Sequence, residues 1–222
     1  PDPAPPPISA PRRWRWALPT AALGALGLAM VFVAQGGDAL SAPFARTAPS
    51  RAAQDAYLAA AHSLERRTPA DIARAIDGYG KAIAIEPSFA DAHAGLAMAH
   101  LLQREFGAVP AEPAYARAAA AAERAIELDP DQAEGHAALG FATFYGQRDF
   151  VAGLASLEHA VELDPASGLT LHWYATALYH AGDLSQALAM LERAQRRTPG
   201  SPAIVSDKAL ILYAMGRREE AL

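Results

Sequence analysis

The stretch AIELDP at residues 125–130 returns as AVELDP at 160–165, and a looser AIAIEP stands at 82–87. Each copy sets a proline where a helix cannot continue, because proline lacks an N–H and its ring clashes with the carbonyl four residues back. The residue before a proline is also pushed toward extended backbone. Each copy therefore reads as the last turn of a helix and its stop. Anchoring on these stops, Pro87, Pro130, Pro165 and Pro199 lie 43, 35 and 34 residues apart. A spacing of that size marks a chain of repeated two-helix units rather than one compact domain.

The residues between the stops fit such a unit. Before Pro199, a first helix (helix A) is expected over about 168–181, AGDLSQA makes a turn, and a second (helix B) runs through LSQALAMLERAQRR. Ala187, Leu191 and Ala194 stand where small and large apolar residues let helix B nest against its neighbours. The same places hold Gly153, Leu157 and Ala160, then Ala118, Ala122 and Ala125, then Ala75, Tyr79 and Ala82. Small residues recur there because helices crossing at about 8–10 Å leave no room for long side chains. Leu139-Gly140 and Leu96-Ala97 are the matching helix A positions, and a first helix is expected around AQDAYLAAAHSLERR. Val205, Ala209 and Leu212 restart helix A, and Ala221 falls 34 residues after Ala187.

The expected fold is all-α: a tetratricopeptide (TPR) right-handed superhelix, for which the repeat length is about 34 residues. Its units cover about 53–87, 88–130, 131–165 and 166–199, with a partial unit at 200–222. No two-helix unit buries its apolar face alone, and stacking makes one continuous core. The second unit exceeds 34 residues by nine, and the prolines and Gly107 of LLQREFGAVPAEPAYARA predict a loop between its helices. In the first unit, Thr68 is placed to cap helix B, Pro69 to begin it and Asp71 to favour its positive end.

Ahead of the array, residues 1–11 form a proline-rich linker and Trp16–Ala34 is a run of 19 residues without a charge. At helical rise that run spans roughly 28 Å, close to the hydrocarbon thickness of a bilayer. Trp14 and Trp16 suit an interfacial belt, and Arg12, Arg13 and Arg15 precede the span while Asp38 follows it. A transmembrane helix over 12–35 is expected, with the N-terminus cytoplasmic and the array extracytoplasmic, in the periplasm. A cleavable signal peptide shares the charged start and small residues; the length of the run and the preceding linker favour an uncleaved anchor. Ala21, Ala25 and Ala29 make a small-residue row of the kind that pairs spans into a homodimer, and residues 36–52 read as a flexible tether. The chain opens inside PDPAPPPISAP and stops at GRREEAL, which reads as a piece of a longer protein.

Charge narrows the function. Residues 51–222 hold 15 basic and 22 acidic side chains, a surface that repels phosphate and makes direct nucleic-acid binding a poor expectation. The absence of cysteine removes disulfides, thiolate metal sites and a cysteine nucleophile. Neither a phosphate-binding loop nor a zinc-protease or hydrolase motif is present, and GALGLA belongs to the expected span. No enzymatic activity, cofactor or metal is expected. Seven histidines do not alter this: His93 and His136 hold equivalent helix A positions, and His172 and His180 are too far apart for an i, i+4 metal pair.

AYLAAAHSLERRTPADIARAIDGYGKAIAIEPSFADAHAGLAMAH, with AIELDPDQAEGHAALG, resembles the TPR half of one-span bacterial regulators similar to CadC and ToxR. That resemblance implies a cytoplasmic winged-helix DNA-binding part before the span and a signal-input role for the array. Similar arrays also follow kinase or cyclase modules, and an envelope assembly scaffold without signalling output is the other reading.

A partner of such an array is a protein or peptide, held on the inner wall built by helix A. By position that wall comprises Met98, Leu101, Leu102, Phe141, Phe144, Tyr145, His172, Thr176, Tyr179, Leu210 and Tyr213. Buried aromatics there would supply most of the affinity. The wall lacks the lysines and arginines needed to clamp a C-terminal carboxylate.

Overall fold

The proline stops all take one backbone form. In the computed structural model, which describes residues 48–107 and 109–221, the residues before the prolines are Glu86, Asp129, Asp164 and Thr198. All four are extended, with φ between −145° and −130°, as the following proline ring requires. Each donates its N–H to the carbonyl of the alanine four residues back (Ala82, Ala125, Ala160, Ala194) at 2.8–2.9 Å. The aspartates of the two LDP copies then accept the N–H two residues on, at 3.3 Å for Asp129 and 2.9 Å for Asp164. The motif is thus a complete chain reversal, and its acid is spent on the turn.

Nine α-helices follow one another among the described residues. They are α1 (Arg51–Glu65), α2 (Pro69–Ile85), α3 (Ala90–Phe106), α4 (Ala111–Leu128), α5 (Ala133–Ala142), α6 (Phe150–Leu163), α7 (Gly168–Ala181), α8 (Leu184–Arg197) and α9 (Pro202–Ala214). The odd-numbered helices are A and the even-numbered ones B. Each A packs on its own B, each B on the next A, and successive A helices touch one another. That order produces an all-α repeat solenoid.

The registers read from the sequence converge on the helix crossings. Ala75, Ala82, Ala118, Ala122, Ala125, Leu157, Ala160, Ala187, Leu191 and Ala194 are completely buried. The closest approach is between α5 and α6. A Cβ built on Gly140 would come within 2.9 Å of the Gly153 carbonyl oxygen, and one on Gly153 within 2.8 Å of the Phe144 backbone. Both positions therefore require glycine.

Two irregular spacings have separate causes. The nine extra residues of the second unit do not form the long loop expected from the two prolines. Relative to the 14-residue α7 and α8, α3 gains three residues and α4 four, with a turn of only four at 107–110. Pro113 sits at the third position of α4, where the N–H it lacks would have no helical partner. The single extra residue of the third unit is absorbed by a π-helical turn, Thr143–Gln147, that ends its helix A.

At the first unit, the Thr68 hydroxyl accepts from the Asp71 N–H at 3.1 Å and donates to the Asp71 carboxylate at 2.5 Å, and Pro69 is the first helical residue. That bond, with Arg74 and Arg66 beside the carboxylate and burial opposing, holds Asp71 below the ordinary carboxylate range. A carboxyl group with a lowered folded pKa stabilises the fold above its unfolded pKa, and the benefit is lost as pH falls through the folded value. Asp71→Asn should therefore lower the urea midpoint at pH 7. The gap to the parent should close on going below about pH 4, where the carboxylate of the unfolded chain is already protonated.

The proline-rich linker 1–11, the expected transmembrane helix 12–35 and most of the tether, 36–47, lie outside the described residues. The tether's last residues are helical, since Ser50 accepts from the Ala53 N–H at 3.4 Å and α1 starts at Arg51. Among the described residues no helix is long and apolar enough to cross a membrane.

Candidate binding face

The inner side of the array has two characters. Met98, Leu101, Leu102 and Phe144 are 2–6% exposed and lie in the core, so they hold α3 and the π-turn in place and present nothing to solvent. At the far end Leu210 and Tyr213 are open, 48% and 60% exposed. Between these extremes Phe141, Tyr145, His172, Thr176 and Tyr179 are half-buried.

Three of them, Phe141, Tyr145 and Thr176, come together where α5 and its π-turn meet α7. The Phe141 ring lies 4.5 Å from Tyr145 and 4.6 Å from Trp173, with Tyr115 of α4 at 6.4 Å. The π-turn turns Phe144 toward α6 and leaves the next residue, Tyr145, against α7, where its hydroxyl donates to Thr176 Oγ1 at 3.2 Å. Burial pushes the Tyr145 phenol up to about 12, so it remains a donor at neutral pH. Thr176 passes the chain on to the Trp173 carbonyl at 2.9 Å. His180 stands edge-on to Tyr145 and Tyr179, with centroids at 5.7 and 5.3 Å. His172 Nε2 lies 2.7 Å from Asp207 Oδ2 and ties α7 to α9.

Trp173, Tyr115, His180 and Asp207 were not among the residues chosen from the sequence. His180 had a signal, because it falls 35 residues after Tyr145, in the same register. Asp207 stands at the same separation from His172. Trp173 and Tyr115 point across helix interfaces, which a positional rule for the inner wall does not reach.

Two of the other histidines have a structural task. His93 and His136 bring Nε2 to the carbonyls of Pro87 and Pro130, at 3.1 and 2.8 Å, and so tie helix A to the stop before it. Burial lowers the His93 pKa, which suits a neutral ring donating one N–H. No group of three or more His, Asp or Glu that could hold a metal occurs among the described residues.

The class defined by this geometry is the helical repeat solenoid, with its aromatic patch where consecutive A helices meet. More particularly, the tetratricopeptide repeat family profile matches residues 144–211 and 178–222, so the C-terminal units are similar to tetratricopeptide repeats. Among solved structures, a thermophilic TPR protein of Thermus thermophilus, TTC0263, superposes with a TM-score of 0.61 at 18% identity, covering 77% of this chain and 86% of that one. Pseudomonas aeruginosa pilF gives 0.57 at 22% identity, covering 77% and 72%. Similarity at these identities is one of fold. Among curated relatives, bacteriophage adsorption protein A of Escherichia coli is 34% identical over 89 residues, 40% of this chain and 9% of its own. Transcriptional regulator HilA of Salmonella typhimurium is 24% identical over 157 residues, 71% of this chain. The chain thus spans only 9% and 28% of the lengths of these relatives. No enzyme family is indicated by these matches.

Proposed function

We propose that this chain is the partner-binding, signal-input part of a single-pass membrane regulator. In this reading residues 12–35 cross the inner membrane with the N-terminus cytoplasmic. The TPR array, on the far side, takes up a protein or peptide along its A helices. Occupancy, or pairing of two arrays through their spans, changes the separation of cytoplasmic domains that control transcription.

The observation that supports binding is the half-buried ladder Phe141–Tyr145–Thr176–Tyr179. Trp173 backs Phe141, the Tyr145–Thr176 hydrogen bond holds Tyr145, His180 stands against Tyr145 and Tyr179, and all four ladder residues are only half-buried. Rigid aromatics with one free face are the residues that dominate protein interfaces, because little conformational entropy remains to be lost on binding. The regulator reading draws support from the alignment with HilA, a transcriptional regulator, over 71% of the chain.

Two experiments test the two halves separately. Reporter fusions placed before Arg12 and after Pro49 should report cytoplasmic and extracytoplasmic locations respectively; a cytoplasmic array would defeat the membrane reading. Tyr145→Ala with Tyr179→Ala should abolish stimulus-dependent output in cells while the circular dichroism of the purified array is unchanged. Full output from that double variant would remove the ladder from the binding site.

A further inference from the structure

Helix B of the fourth unit ends differently from those of the second and third. Aligned on their prolines, the second and third units end in Glu127-Leu128-Asp129 and Glu162-Leu163-Asp164, whereas the fourth ends in Arg196-Arg197-Thr198. Three residues before these glutamates each unit carries a cationic or titratable nitrogen: Arg124, His159 and, in the fourth, Arg193. In the second unit Arg124 Nη1 donates to Glu127 Oε2 at 2.8 Å, and in the third His159 Nδ1 lies 3.3 Å from Glu162 Oε2. In the fourth the acid has become Arg196, and Arg193 Nη1 lies 3.3 Å from the Met190 sulfur. Among the described residues none of Arg193, Arg196 and Arg197 pairs with a carboxylate.

These three arginines and Pro165 line a cleft of about 350 Å³. Like charges one helical turn apart repel, which offsets the favourable place of cations in the last turn of α8, and an anion relieves that repulsion. The remainder of the array is acidic, which sets this cleft apart electrostatically. Because a surface glutamate meets the corresponding nitrogen in the second and third units, the group that complements the fourth unit's arginines is a carboxylate. The cleft is too large for one such group alone and suits a short run of them.

We propose that the Pro165–Arg193–Arg196–Arg197 cleft is a docking site for a glutamate- or aspartate-rich peptide segment, separate from the aromatic face of the A helices. Guanidinium groups offer paired N–H donors that match carboxylate oxygens, and they stay charged at any physiological pH.

The test is fluorescence anisotropy with a labelled hexaglutamate peptide, a hexaglutamine peptide and inorganic phosphate as the probes. The parent chain should bind hexaglutamate, more weakly as salt is raised, and should not bind hexaglutamine. Arg196→Glu rebuilds the internal pair of the second and third units and should weaken hexaglutamate binding at least about tenfold. The variant R104E/R117E, at exposed sites on α3 and α4, changes net charge by more than R196E does and should leave affinity within about twofold. Equal weakening by both variants, unchanged binding in R196E, or displacement of the peptide by an equal concentration of phosphate would each overturn the proposal. Urea unfolding of R196E guards against misreading: the variant should be at least as stable as the parent, so lost binding cannot be lost fold.

Discussion

Gly153→Leu is expected to break the array in its middle and to be among the most damaging single changes. Even a Cβ at this position would sit 2.7 Å from the Phe144 Cβ and 2.8 Å from the Phe144 backbone, closer than nonbonded carbon atoms approach. Gly140 faces the same crossing from the other helix, so α5 cannot retreat without leaving Leu157 uncovered. Overpacking at a rigid site costs up to about 3 kcal/mol when backbone must shift. Because each unit of a solenoid is held by its neighbours, the damage should spread locally. Hydrogen exchange read by mass spectrometry should show lost protection in α5, α6 and α7 while α1 and α2 keep theirs. Uniform protection throughout would contradict the packing described.

Trp173→Ala should be comparably severe, at about 3–5 kcal/mol for removing a buried indole. The residue is 4% exposed and forms the floor on which Phe141 rests, 4.6 Å away. Its loss opens a cavity between α5 and α7 and frees the Phe141 and Tyr145 rings at once. Two readouts should therefore move together: the urea midpoint followed by circular dichroism, and binding at the ladder. Trp173→Phe keeps an aromatic floor and should recover most of both. A Trp173→Ala variant with parental stability would show that the indole is not part of the core.

The fold was legible because its signals are local and repeated. A proline stop depends only on its own ring and the residue before it, so Pro87, Pro130, Pro165 and Pro199 announce the same turn wherever they occur. The segments predicted for the fourth unit, 168–181 and LSQALAMLERAQRR, are the helices α7 and α8. The second unit misled because Pro110 and Pro113 read as loop formers, yet proline is compatible with the first turn of a helix, and Pro113 occupies one. The π-turn could be inferred only as one surplus residue between Pro130 and Pro165; where it falls is decided by Phe144 packing on Gly153.

The binding face was less legible, for a related reason. A positional rule selects residues facing the inner wall but not how deeply each is covered, and coverage depends on the adjacent unit. Met98, Leu101 and Leu102 are covered because the long α4, with α5, packs along α3, whereas Tyr179 is only half-buried. The arginine cleft was hidden in plain view as AQRRTP, the stop whose last turn replaces the acid of ELDP with arginines.

Site-specific photo-crosslinking in the intact protein tests the central claim, that partners are taken up along the A helices. A benzophenone amino acid placed at Tyr179, half-buried on helix A of the fourth unit (α7), or at Glu158, exposed on helix B of the third (α6), samples the A and B sides of the array. An adduct formed from position 179 and absent from position 158 is the result expected. Adducts from 158 alone would place the partner on the B helices and contradict the account.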